Sequence, residues 1–154
     1  MAKTPNKVRS PRLEPRDWLL LALERSRSGL TPVQLQKVLF LLGERKKATV
    51  HPGFYRFEPY NYGPFCRQIY NDADLFALTD FISVDYSRGN SLRRYQLTPE
   101  GQQAAQHIAT RAPQDGLAYL NDVVRWAQSL PFNDLVRAIY EAYPAMRAKS
   151  VFRD

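Results

Sequence analysis

The 154-residue chain is poor in the residues that carry most protein chemistry: one cysteine, two histidines, two methionines and seven glycines. A lone Cys66 excludes an internal disulfide framework and any cysteine-rich zinc site. His51 and His107 stand apart from any acid or cysteine at ligand spacing. No His-x-x-x-His, Cys-x-x-Cys or Gly-x-Ser-x-Gly occurs, and no two glycines cluster into a phosphate-cradling loop. Asp72 and Asp74 lie two residues apart, so on a helix they face different sides and suit capping better than metal binding. Cys66 reads as a small apolar residue rather than a nucleophile. The chain is therefore expected to be non-enzymatic, with no catalytic residue, cofactor or metal. Long apolar runs are also missing: residues 18–23 and 38–42 fall far short of a membrane span. With no charged-then-apolar leader at the start, a cytoplasmic location is expected.

What is present in excess is positive charge. Twenty-two Lys and Arg against 15 Asp and Glu give +7. Lys3, Lys7, Arg9, Arg12 and Arg16 against Glu14 place +4 of this in residues 1–16, which also hold Pro5, Pro11 and Pro15. Arg137, Arg147, Lys149 and Arg153 against Glu141 and Asp154 add +2 at the other end. The middle is nearly neutral. Residues 1–16 accordingly read as a flexible basic arm, either a phosphate grip or a solvated tail.

Local signals order the rest. Asp17 is a cap for a helix over about 18–28 stopped by Gly29. Thr31-Pro32-Val33-Gln34 is a capping box with proline at the first helical position. Leu35, Val38, Leu39 and Leu42 then recur at the spacing of a buried helical face, with Gly43 as the stop. Residues 54–57 are aromatic and short, the pattern of a strand or an extended segment. Pro64 would start a helix carrying Phe65, Ile69 and Ala73, broken near Asn71 or Asp72 and resumed through Leu78. Residues 81–86 and 92–97 form a hairpin with a polar tip at 87–91. Thr98-Pro99 starts another helix to about 111, and two more follow over 117–130 and 133–143, separated by Pro131 and ended by Pro144.

This order predicts a mainly α chain with a small β-hairpin (α+β), a winged-helix-like core over 17–112 and C-terminal helices over 113–154 packed on that core. Tyr95-Gln96-Leu97-Thr98-Pro99-Glu100-Gly101 resembles the passage in winged helix regulators where the second wing strand enters the next helix. Such domains read DNA with a helix in the major groove and a flanking wing. Here Arg67, Gln68 and Asn71 are the base-reading types, and Arg88, Arg93 and Arg94 suit phosphate or minor-groove contact. Equally, Arg67, Gln68 and Asn71 fit a plain solvated helix face. Asp72, Asp74, Asp80 and Asp85 oppose a groove unless they point away.

A wider resemblance rests on three ordered segments: Leu30-Thr31-Pro32-Val33-Gln34-Leu35-Gln36-Lys37-Val38-Leu39-Phe40-Leu41, then Phe57-Glu58-Pro59-Tyr60-Asn61-Tyr62-Gly63-Pro64-Phe65 with Ile69-Tyr70, then 135–144 with Lys149-Ser150. Together they resemble the Panacea, or SocA-like, phage-associated antitoxin domain. Phe65 departs from it, standing where a small branched residue is usual. The resemblance implies an antitoxin or regulator that neutralises or senses a protein partner such as a cognate toxin, without cofactor, and that can repress its own gene. Rigid Gly63-Pro64 would hold Tyr60, Tyr62 and Phe65 as interface anchors; core packing beside a helix start explains the same residues. The alternative function is a winged helix DNA-binding transcriptional regulator on double-stranded DNA, and a homodimer through the terminal helices is a third reading. On the DNA reading, the protein binds its own upstream region more weakly as salt rises, and Arg93→Ala/Arg94→Ala abolishes the binding in a gel-shift assay. Binding indifferent to salt and to both arginines would contradict it.

Overall fold

Helix starts and proline positions set the element order. The computed structural model describes residues 12–86 and 93–153. Among the described residues six α-helices and two antiparallel strand pairs make a mainly helical α+β fold. The elements are α1 (Pro15–Ser26), α2 (Pro32–Arg45), β1 (Glu58–Tyr60), β2 (Gly63–Phe65), α3 (Arg67–Leu78), β3 (Ile82–Asp85), β4 (Arg94–Leu97), α4 (Pro99–Ala109), α5 (Gln114–Gln128) and α6 (Phe132–Ala142). A short 3-10 turn, Pro144–Arg147, follows α6. Among the described residues, no helix is long and apolar enough to cross a membrane.

The first helix begins earlier than Asp17. Glu14 occupies the cap, Pro15 the first turn, and the Glu14 N–H donates to the Asp17 carboxylate at 2.9 Å. Asp17 is thus the third helical residue, answering the cap rather than being it. The last residues of the expected arm join the fold: Leu13 is buried, and Arg12 donates to the Val50 carbonyl at 3.0 Å. Lys3, Lys7 and Arg9 lie outside the described residues. Residues 18–23 are all buried, because α1 is the axis of the molecule. It packs against α2, α4 and α5 and touches α3 and β4.

The second helix starts as its capping box predicts, with Gln34 N–H on the Thr31 hydroxyl at 3.2 Å and Thr31 N–H on the Gln34 amide at 2.9 Å. It does not stop at Gly43 but continues to Arg45. Gly43 is a spacer there: a Cβ would stand 2.9 Å from the Phe54 ring. The extended 54–57 segment leads into a small hairpin, β1–β2, in which Pro59 faces Pro64. Pro64 is therefore in a strand, not a helix, and α3 begins at Arg67. That helix is unbroken at residues 71–72. Asp72 does not cap a second helix; it accepts from the Tyr55 hydroxyl at 2.6 Å and from Gln68 at 2.8 Å.

The expected hairpin pairs Ile82 with Leu97 through Asp85 with Arg94; its tip, 87–91, and Leu92 lie outside the described residues. Leu30 and Tyr95 exchange backbone hydrogen bonds at 3.0 and 2.8 Å, tying the α1–α2 turn to β4. Thr98 caps α4, as its sequence predicts. Leu117, Leu120, Val123 and Val124 of α5 share one core with α1 and α2, and Val136, Tyr140 and Phe152 form a smaller cluster beneath the C-terminal segment.

Gly101 marks the closest backbone approach in this packing, since a Cβ would stand 2.0 Å from the Phe81 carbonyl oxygen. Gly101→Ala must push α4 away from β3 and is expected to lower stability by about 1–3 kcal/mol or more. A urea-denaturation midpoint that moves at unchanged slope would report it.

Candidate functional site

The site is built on a hairpin of two three-residue strands that could not stand alone. A two-residue loop, Asn61-Tyr62, joins β1 to β2, and Gly63 closes it at φ +105°, a conformation that favours glycine. Two clamps hold this hairpin on the body. On one side Gln36, buried in α2, makes two hydrogen bonds to the backbone of Cys66 where β2 enters α3. Its amide nitrogen donates to the Cys66 carbonyl at 3.0 Å, and the Cys66 N–H donates to its oxygen at 2.8 Å. On the other side the C-terminal segment crosses the loop: Val151 N–H donates to the Asn61 carbonyl at 2.9 Å, and Tyr140 donates to Ser150 at 2.6 Å. Phe152 is buried against Phe132 and Tyr140.

Held in this way, the hairpin forms one wall of a cleft of about 590 Å³. Tyr60 stacks on Phe65 with ring centres 4.6 Å apart, and Phe65 meets Tyr70 edge-on at 5.3 Å. Tyr62 meets Phe132 of α6 edge-on at 5.2 Å. Tyr60 and Tyr62 remain 44% and 40% exposed, so they are not core residues; Phe65 is half-buried. The floor is the side of α2 carrying Val33, Gln36 and Lys37.

Lys37 is the unusual group. The residue is only 3% exposed, yet among the described residues its amine has no hydrogen-bond or ion-pair partner. Burial lowers its pKa from 10.5 to about 7, because removing the ammonium from water disfavours the charged form. Its nitrogen lies beside Gly63, 3.4 Å from where a Cβ at that position would be. Arg67 is the second cation of the cleft, its guanidinium 5.7 Å from the centre of the Phe65 ring, and none of the lining residues is acidic. The Tyr70 hydroxyl is held above its ordinary pKa, chiefly by burial, with Arg93 pulling the other way.

The aromatic trio Tyr60, Tyr62 and Phe65 is thus brought together with Arg67 at one cleft. Gln68 and Asn71 lie on the exposed outer face of α3, beside Asp74, Leu75 and Leu78, the last 83% exposed. Asp72 turns back to Tyr55, whereas Asp74 and Asp80 stay exposed. Arg94 donates to the Gly29 carbonyl at 3.1 Å, and Arg93 lies over the Tyr70 ring at 5.8 Å. Arg88 lies outside the described residues. His51 accepts from the Gly53 N–H at 2.8 Å, His107 is exposed on α4, and Cys66 is buried. No group of three His, Cys, Asp or Glu side chains gathers as a metal site among the described residues.

Sequence reasoning missed Gln36, Lys37, Val33 and Phe132. A signal for three of them existed: Val33, Gln36, Lys37 and Phe40 repeat the helical spacing on a second side of α2, with two polar residues in an otherwise apolar stretch.

The lowered Lys37 pKa makes stability depend on pH. Between pH 7 and the range where tyrosines ionise, the unfolded chain holds a lysine proton that the folded chain lacks, so raising pH favours folding. The expected gain is up to about 1.4 kcal/mol per pH unit. Urea denaturation at pH 7, 8 and 9 should show this rise, and Lys37→Met should remove that lysine contribution to the slope. In comparisons with protein-family models and with curated proteins, the chain matches none.

Proposed function

We propose that this chain is a non-enzymatic binding protein of antitoxin or regulatory type that holds a protein partner at the Tyr60–Tyr62–Phe65 cleft. The observation that carries the reading is the cleft itself. Exposed aromatic side chains on a clamped, rigid support lose little freedom on binding and bury a large area, the properties of interface anchors. Of the three sequence segments that resemble the Panacea antitoxin domain, the first supplies the helix floor and the second the hairpin wall of this cleft, and Ser150 of the third is hydrogen-bonded to the hairpin loop at Asn61. We take the scaffold as winged-helix-like; the order α1–α2–α3–hairpin and the Leu30–Tyr95 backbone link support this.

The support for DNA reading is thinner. Of the described wing arginines, Arg94 is engaged by Gly29 and Arg93 by Tyr70, while the exposed face of α3 offers Leu75, Leu78 and Asp74 beside Gln68 and Asn71.

Co-expression with the product of the adjacent gene is the direct test. A neighbour that is toxic alone, is silenced by this chain and co-purifies with it is the expected result. Tyr60→Ser/Tyr62→Ser should then cut co-purification at least tenfold with an unchanged circular dichroism spectrum. A neighbour that is neither toxic nor retained would remove the antitoxin reading.

A further inference from the structure

We propose that the cleft reads a carboxylate, and that the partner supplies it on an acidic peptide segment. The segment lays an apolar side chain against Tyr60, Phe65 and Tyr70 while its carboxylate reaches the Lys37 amine. The inference deepens the protein-partner reading and rests on it.

Three features of the cleft lead to this occupant. The first is the unpartnered amine. Lys37 lies in the floor at 3% exposure with neither an acceptor nor an acid beside it among the described residues, so an arriving anion would be its first partner. Burial disfavours the ammonium form of this amine, and a carboxylate placed against it restores that form through a charge-assisted hydrogen bond.

The second feature is charge complementarity. Lys37 and Arg67 are the basic residues of the lining, and none of the lining residues is acidic. An acid entering the cleft therefore meets attraction without opposing carboxylates, whereas a lysine or arginine side chain would meet repulsion.

The third feature is the wall. Tyr60, Tyr62, Phe65, Tyr70 and Phe132 make it mainly aromatic, so the anion must be carried on an apolar body. A single carboxylate next to a hydrophobic side chain matches the supply. Gly63 completes the arrangement, because any side chain there would stand beside the amine, its Cβ 3.4 Å from the nitrogen.

The test uses the full chain and four defined probes followed by nuclear magnetic resonance titration. Acetyl-Phe-Glu-amide is compared with acetyl-Phe-Gln-amide, and 3-phenylpropionate with 3-phenylpropionamide. The expected result is at least tenfold tighter binding of the acidic peptide than of its glutamine twin, with shifts confined to α2, the β1–β2 hairpin and the start of α3. Lys37→Met should bring the two peptides to parity. The acid–amide comparison is made on the unaltered chain, so it stands even if the variant folds poorly. Parity on the unaltered chain, or shifts elsewhere on the molecule, would overturn the proposal. Binding of 3-phenylpropionate without the acidic peptide would overturn the peptide source and make the cleft a site for small free carboxylates.

The two readings fail separately. Parity of acid and amide together with loss of the neighbour in Tyr60→Ser/Tyr62→Ser sinks the carboxylate and leaves the protein partner. An acid preference with no neighbour retained sinks the antitoxin reading and leaves the carboxylate cleft.

Discussion

The second helix is buried on two sides, and the arrangement of the molecule around the cleft follows from satisfying both. Leu35, Leu39 and Leu42 pack into the core that α1 and α5 complete, as an amphipathic helix is expected to do. Gln36, Lys37 and Phe40 are buried as well, and two of those three are polar. A primary amide removed from water needs partners, and losing them costs about 1–3 kcal/mol per unsatisfied group. Gln36 finds its partners in the backbone of Cys66, thirty residues away. That pair of bonds fixes where β2 ends and α3 begins, and so where Pro64, Phe65 and Arg67 must sit. Lys37, one residue further round the helix, has no such partner among the described residues.

The chain divides its aromatic residues by the same logic. Trp18, Phe40 and Phe54 are buried in the core, where area removed from water stabilises the fold. Tyr60, Tyr62 and Phe132 are left part-exposed around the cleft, supported edge-on or face-on by neighbours rather than enclosed by them. Exposed rings on a surface otherwise rich in charge are conspicuous because a monomer has no stability reason to keep them there. The charge distribution points the same way. Most of the +7 belongs to the two ends of the chain, and the described arginines beside β4 are engaged with Gly29 and Tyr70.

Much of the element order was legible because its signals are local. The Thr31 and Thr98 caps act over three residues, proline forbids interior helix at 131 and 144, and alternation over 82–85 and 94–97 needs only the strand itself. The failures are equally physical. Gly43 looks like a helix stop by conformational preference, but the Phe54 ring needs the space and the helix continues. Asp17 has the chemistry of a cap, yet Glu14-Pro15 precedes it and takes that position. Strands of three residues carry too little alternation to stand out, so β1–β2 has no local signal and Pro64 reads as a helix start.

The amino-acid sequence alone determined that this is a mainly helical chain with a short hairpin, that its basicity is concentrated at the ends, and that Tyr60, Tyr62 and Phe65 lie close to a rigid turn. It did so because caps, prolines and periodicity are interactions between near neighbours. Only the tertiary structure decided that those three rings line one cleft with Lys37. The contacts that bring them there join α2 to residue 66 and the loop at residue 61 to residues 150 and 151. No window of local sequence contains both ends of such a bond. The burial that lowers the lysine pKa arises only when the separate segments close around it.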